Sequence, residues 1–106
     1  MFPIGQFLDG FGQILWEMDA LAQGGAGEAL EAMEDLNAEF EDALMLLNEL
    51  KREDVDWREE LDGALEALRA LAGDYRAIQG GVPGVEELAG RLEMAVEQAR
   101  NSLEGE

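Results

Sequence analysis

The sequence predicts an all-α fold, an antiparallel up-down-up-down four-helix bundle with helices over roughly 4–23, 28–52, 56–79 and 84–104. Three observations carry this expectation. Apolar residues recur about three times in every seven positions, the wide stripe of a bundle helix rather than a two-stranded seam. Glycine-rich or acidic breaks cut the chain into four segments of roughly 20 to 27 residues. No stretch alternates apolar and polar residues as a half-buried strand does. A chain of 106 residues and 11.6 kDa has material for one core, so 1–106 is read as a single helical domain.

The first segment places Ile4, Phe7, Leu8, Phe11, Ile14, Leu15, Met18, Leu21 and Ala22 in columns seven residues apart. Gly5, Gly10 and Gly12 interrupt it, each weakening a helix interior by about 1 kcal/mol, so residues 1–12 are expected to fray or bend. The second segment follows the Gly24–Gly27 break with Ala29, Leu30, Met33, Leu36, Phe40, Ala43, Leu44, Leu47 and Leu50. Asn37 is the one polar residue inside that stripe. The third opens at Asp56, an N-cap with Glu59 three residues on as its box partner. It continues through Trp57, Leu61, Ala64, Leu65, Leu68, Leu71, Ala72, Tyr75 and Ile78. The fourth follows Gly80–Gly84 with Val85, Leu88, Ala89, Leu92, Ala95, Val96, Ala99 and Leu103.

Short connections make neighbouring helices antiparallel. The competing arrangements are a three-helix core with a loose first segment, and two hairpins that complete a core by dimerising. Phe40 and Leu68 lie in the central columns of their stripes and are expected at the centre of the core. A helical repeat fails, because Leu68, Leu71, Ala72 and Tyr75 would be followed one period later by Gly84, Leu88, Arg91 and Val96.

Composition excludes more than it assigns. Asp and Glu number 25 against 7 Lys and Arg, a net charge of −18 and a pI near 4.1. Nucleic acid is therefore not the expected ligand, since phosphate contact needs clustered bases, and an anionic membrane surface is disfavoured for the same reason. Cys, His and Thr are absent, and Ser102, Lys51 and Tyr75 are the single examples of their kinds. No catalytic residue, no cofactor and no metal site is expected. A di-iron bundle centre needs His beside Glu on the inner face, and the core columns hold neither. A glycosidase pair needs two acids in one cleft, whereas the acids here fall on outer faces. The densest acidic cluster, Glu53, Asp54, Asp56, Glu59 and Glu60, lacks the spacing and glycine of a calcium loop, and is read as complementing the third helix's positive N-terminus. No apolar run approaches the ~18 residues of a membrane span. The start Met1–Gln6 lacks the basic region of a secretory leader, so a cytoplasmic location is expected.

Charge is distributed unevenly. Residues 1–50 contain no Lys or Arg, and all 7 bases fall in 51–106. Glu28, Glu31, Glu34, Asp35, Glu39, Glu41, Asp42 and Glu49 occupy the side of the second helix opposite its stripe, without the interleaved cations that an ordinary solvated helix uses. Arg58, Arg69 and Arg76 run along one flank of the third helix, where they are expected to offset a neighbour's acidic field. Three apolar residues fall off the stripes: Trp16, Met45 within the acidic face, and Leu46 at its edge, expected beneath Phe2 and Pro3. Phe2, Phe7, Phe11 and Trp16 are spaced along one segment, but an interfacial membrane helix would add Lys or Arg, so core packing accounts for the phenylalanines.

The expected function is non-enzymatic: binding of a basic protein partner, of the inhibitor or immunity, DNA-mimic or export-chaperone type. Glu31, Glu34, Glu41, Asp42 and Glu49 would steer the partner and Met45 would supply a small apolar contact. The rival is a structural homo-oligomer, a homodimer in its simplest form, with Trp16 at the contact and acidity that reflects cellular salt or genome composition.

A net charge of −18 on so small a surface makes self-repulsion a destabilising term. Added NaCl, which cuts the screening length to about 10 Å at 0.1 M, should raise the melting temperature. A steady fall in melting temperature between low and moderate NaCl would show instead that ion pairs outweigh repulsion.

Overall fold

The computed structural model describes residues 4–24, 27–50, 56–78, 82 and 84–105. Four helices account for nearly all of them: α1 (Ile4–Gln23), α2 (Gly27–Glu49), α3 (Trp57–Arg76) and α4 (Val85–Glu104). Each packs against the next, and α4 packs back against α1, while the diagonal pairs α1/α3 and α2/α4 make no close backbone approach. The result is a closed square of helices, 44 × 20 × 19 Å. The side-chain pairs fix directions. Arg76 near the end of α3 meets Glu93 early in α4, and Arg100 late in α4 meets Asp62 and Glu66 early in α3. Arg91 near the start of α4 meets Glu17 near the end of α1. Neighbours are therefore antiparallel, and the three-helix alternative is set aside.

Every residue of the four apolar stripes is either buried or packed against the buried cluster. Phe40 and Leu68 are fully enclosed, as are Phe11, Met18, Met33, Leu65, Tyr75 and Leu92. Val82 adds to the core from outside the helices, and its carbonyl accepts the Val85 N–H at 3.1 Å. Burying a large apolar side chain contributes about 1.5–3 kcal/mol. That scale explains α1. Ile4, Phe7, Leu8 and Phe11 all pack on the core. Their packing offsets the roughly 1 kcal/mol lost at each of Gly5, Gly10 and Gly12, and α1 is continuous from Ile4 rather than frayed there; residues 1–3 lie outside the described residues.

Three boundary expectations are corrected. The second helix ends at Glu49, not near 52, as the Leu50 N–H turns back to the Leu47 carbonyl at 3.3 Å. The third ends at Arg76 rather than 79. There the Ala77 N–H is shared between the Gly73 and Asp74 carbonyls and Ile78 bonds Tyr75, the tightened last turn that commonly closes a helix. Asp56 does precede α3, but its side chain makes no capping hydrogen bond. Its ψ of 13° departs from the extended backbone that lets a cap side chain reach back to the first turn. Glu53 and Asp54 of the acidic cluster lie outside the described residues. Leu46 is not covered: it is 60% exposed, and Phe2 and Pro3 are likewise outside the described residues.

Glycine is required at Gly84, which enters α4 with φ of 87°. A Cβ there would rest in ordinary van der Waals contact with the Leu21 side chain at 3.4 Å, so the backbone conformation, not crowding, calls for glycine. Gly63 and Gly73 in α3 are exposed with open space around them. Gly84→Ala should lower stability by about 1–2 kcal/mol, whereas Gly63→Ala and Gly73→Ala should each raise it by about 0.5–1 kcal/mol. Urea midpoints of the three variants give the test, and a stabilised Gly84→Ala protein would contradict the stated geometry.

Candidate functional site

Asn37, the polar interruption of the second stripe, is the only buried polar side chain among the described residues. It is fully used. Its Nδ2 donates to Asp19 Oδ1 on α1 at 2.9 Å, and its Oδ1 accepts from the Tyr75 hydroxyl on α3 at 2.6 Å. Charge fixes the orientation of the amide, because the reverse flip would turn its oxygen toward the Asp19 carboxylate and its donor toward the hydroxyl. Burial holds the Tyr75 phenol well above its usual pKa, and the charges of Asp19 and then Glu39 push it the same way. Tyr75 is therefore a fixed donor, not an acid at neutral pH.

The polar chain surfaces in a groove between α1 and α2, about 430 Å³ in volume. Its floor and ends are Ala22, Gln23, Leu30, Asn37 and Ala38, and its acids are Asp19, Glu34 and Glu41. Two of the residues singled out from sequence, Glu34 and Glu41, thus face the α1 side of α2. Glu31, Asp42 and Glu49 are exposed but do not line this groove, so the set is split rather than gathered into one patch. Met45 is 55% exposed, and Trp16 is 67% exposed on α1. Met94 on α4, also outside its stripe, is 62% exposed and was legible by the same criterion.

The other surface grooves differ in charge. The one between α1 and α4 includes Arg91, and the one between α3 and α4 includes Arg69 and Arg100. The groove between α2 and α3 is again free of bases, with Glu28, Asp35 and Asp74 around Leu36 and Ile78. Of the three arginines on α3, Arg76 pairs with Glu93 of α4 as a neighbour's counter-charge, while the Arg58 guanidinium lies 5.2 Å from the Trp57 ring centre. Apart from half-buried Glu17 and Glu93, each held by an arginine, every described acid is exposed.

Among the described residues no group of three or more acidic side chains converges as a metal centre would. No helix among the described residues is long and apolar enough to cross a membrane. Comparison of the chain with protein-family models, curated proteins and solved structures gives no match.

The phenol generates a test of the polar chain. Because the folded state holds the Tyr75 proton beyond the unfolded value near 10, the unfolded chain loses it first as pH rises. The contribution is complete below about pH 10 and is lost progressively above it. Tyr75→Phe should flatten that alkaline loss and, by orphaning Asn37 Oδ1, lower neutral-pH stability by about 1–3 kcal/mol. Equal alkaline slopes for the two proteins would rule out the buried phenol as their source.

Proposed function

We propose that this chain is a non-enzymatic binding protein for a basic protein partner, engaged through the surface of α2 and its border with α1. The observation that carries the reading is the absence of any Lys or Arg pairing with an α2 carboxylate among the described residues, while Arg76, Arg91 and Arg100 pair with acids of the other helices. Glu31, Glu34, Glu41, Asp42 and Glu49 then present one sign of charge with Met45 among them. A single-sign field accelerates encounter with an oppositely charged partner, and it does little for folding. Inhibitor or immunity proteins, DNA mimics and export chaperones share this logic; a cytoplasmic setting suits each.

Reversal of Glu34, Glu41 and Asp42 to Lys should leave helix content intact, since all three are exposed. Association with a basic partner captured from native lysate should slow by about tenfold or more, and wild-type association should weaken with salt. Equal capture by the triple variant and the wild type would reduce the acidic face to solvation. A second reading, the homo-oligomer, is favoured by Trp16, whose 67% exposure is high for so large an apolar side chain. Light scattering of Trp16→Ala decides it: a shift from dimer to monomer supports the homo-oligomer, and an unchanged mass removes it.

A further inference from the structure

Resting on the reading of a basic partner, we infer that the partner's docking element is a cationic amphipathic helix of about four turns, seated lengthwise in the groove between α1 and α2. The hydrogen bond between Asp19 and Asn37 sets the register of the two antiparallel helices. One turn further from their connection, Trp16 on α1 lies level with Glu41 on α2; two turns further, Gly12 lies level with Met45. From Leu30 to Met45 the seat runs about 22 Å, the length of some 15 helical residues.

Three features of this strip point to one kind of occupant. Its carboxylates, Asp19, Glu34 and Glu41, have no base in either helix to neutralise them. Trp16 and Met45 are outside the groove's lining but exposed at and beyond the level of its Glu41 end, an aromatic anchor and an adaptable thioether of the kind that hold a helix's apolar side. Small residues lie between them. A Cβ at Gly12 would meet nothing within 4 Å, and Ala38 carries only a methyl, so a helix backbone can approach closely. Apolar residues of the occupant would rest on Trp16, Ala38 and Met45, with Lys or Arg along its flanks reaching the carboxylates. The grooves beside α4 carry Arg69, Arg91 and Arg100 among their acids, so neither offers such a segment a base-free seat. The groove between α2 and α3 is base-free too, but Trp16, on α1, belongs to neither of its helices.

The probe is a synthetic amphipathic helical peptide of about 15 residues, Leu on one face and Lys or Arg on its flanks, titrated at about 0.15 M NaCl. A Trp57→Phe background leaves Trp16 as the reporter. The inference expects one peptide per chain and a blue-shifted Trp16 emission. Affinity should fall about tenfold or more in Glu34→Gln/Glu41→Gln and, with charge unchanged, in Ala38→Trp. Glu86→Gln/Glu97→Gln, the same charge removed from α4, should stay within about twofold of the parent because screening isolates distant charges. Equal losses in the two charge pairs with no effect of Ala38→Trp would overturn the groove while leaving charge-driven binding in place. So would a peptide that does not bind although the basic partner from lysate still distinguishes the Lys triple variant. Failure of both the peptide and the lysate comparison would remove the groove and the basic-partner reading together.

Discussion

Segregation of acids from apolar residues around each helix is the constraint on which the rest of the structure depends. A chain with net charge −18 and no disulfide has only apolar burial to hold it together. It succeeds because no described Asp or Glu enters the core and the stripes are wide enough for each helix to touch two neighbours. The excess charge is thereby confined to the outer surface, where water screens it. The four described ion-pair contacts are also superficial, and pairs of that kind contribute only about 0–1 kcal/mol each. They indicate direction and neighbour more than they stabilise.

One buried amide departs from that apolar rule. Asn37 links Asp19, itself and Tyr75 across three helices, so a sliding of α2 along α1 or α3 would strand a buried donor or acceptor. Leucine in its place would gain burial but leave the Tyr75 hydroxyl without an acceptor. The apolar columns repeat every seven residues and would tolerate a one-heptad slip far better than this chain does. A single polar position that fixes register is a known device in helix bundles, and here it ends at the floor of the acidic groove.

Most of the architecture was legible because burial is periodic. A column such as Leu61, Leu68 and Tyr75 announces its face without knowledge of what lies opposite. Asn37 was visible as an exception in the same way, but its partners were not: Asp19 and Tyr75 sit 18 and 38 residues away, and nothing local encodes the pairing. Helix ends at 49 and 76 escaped for a related reason, since Leu50 and Ile78 keep the apolar rhythm while the backbone has already tightened into a turn. The candidate site was legible in kind and not in shape. The base-free run through residue 50 marked the α2 surface, whereas the division between groove-lining Glu34 and Glu41 and outward Glu31, Asp42 and Glu49 depends on where α1 packs.

Closure of the square between α1 and α4 has a consequence for how the chain order relates to the fold. The Glu17–Arg91 contact lies 13 residues from Ile4 on one helix and 13 residues from Glu104 on the other, and the two helices run oppositely. Ile4 and Glu104 therefore stand at the same end of the bundle, each about 20 Å from that contact. A short linker between them would convert the four helices into a covalent ring with a seam like the other three. The chain is in this sense a circular permutant among equals: opening the ring at any other connection would preserve all four helix–helix faces, and with them the groove between α1 and α2.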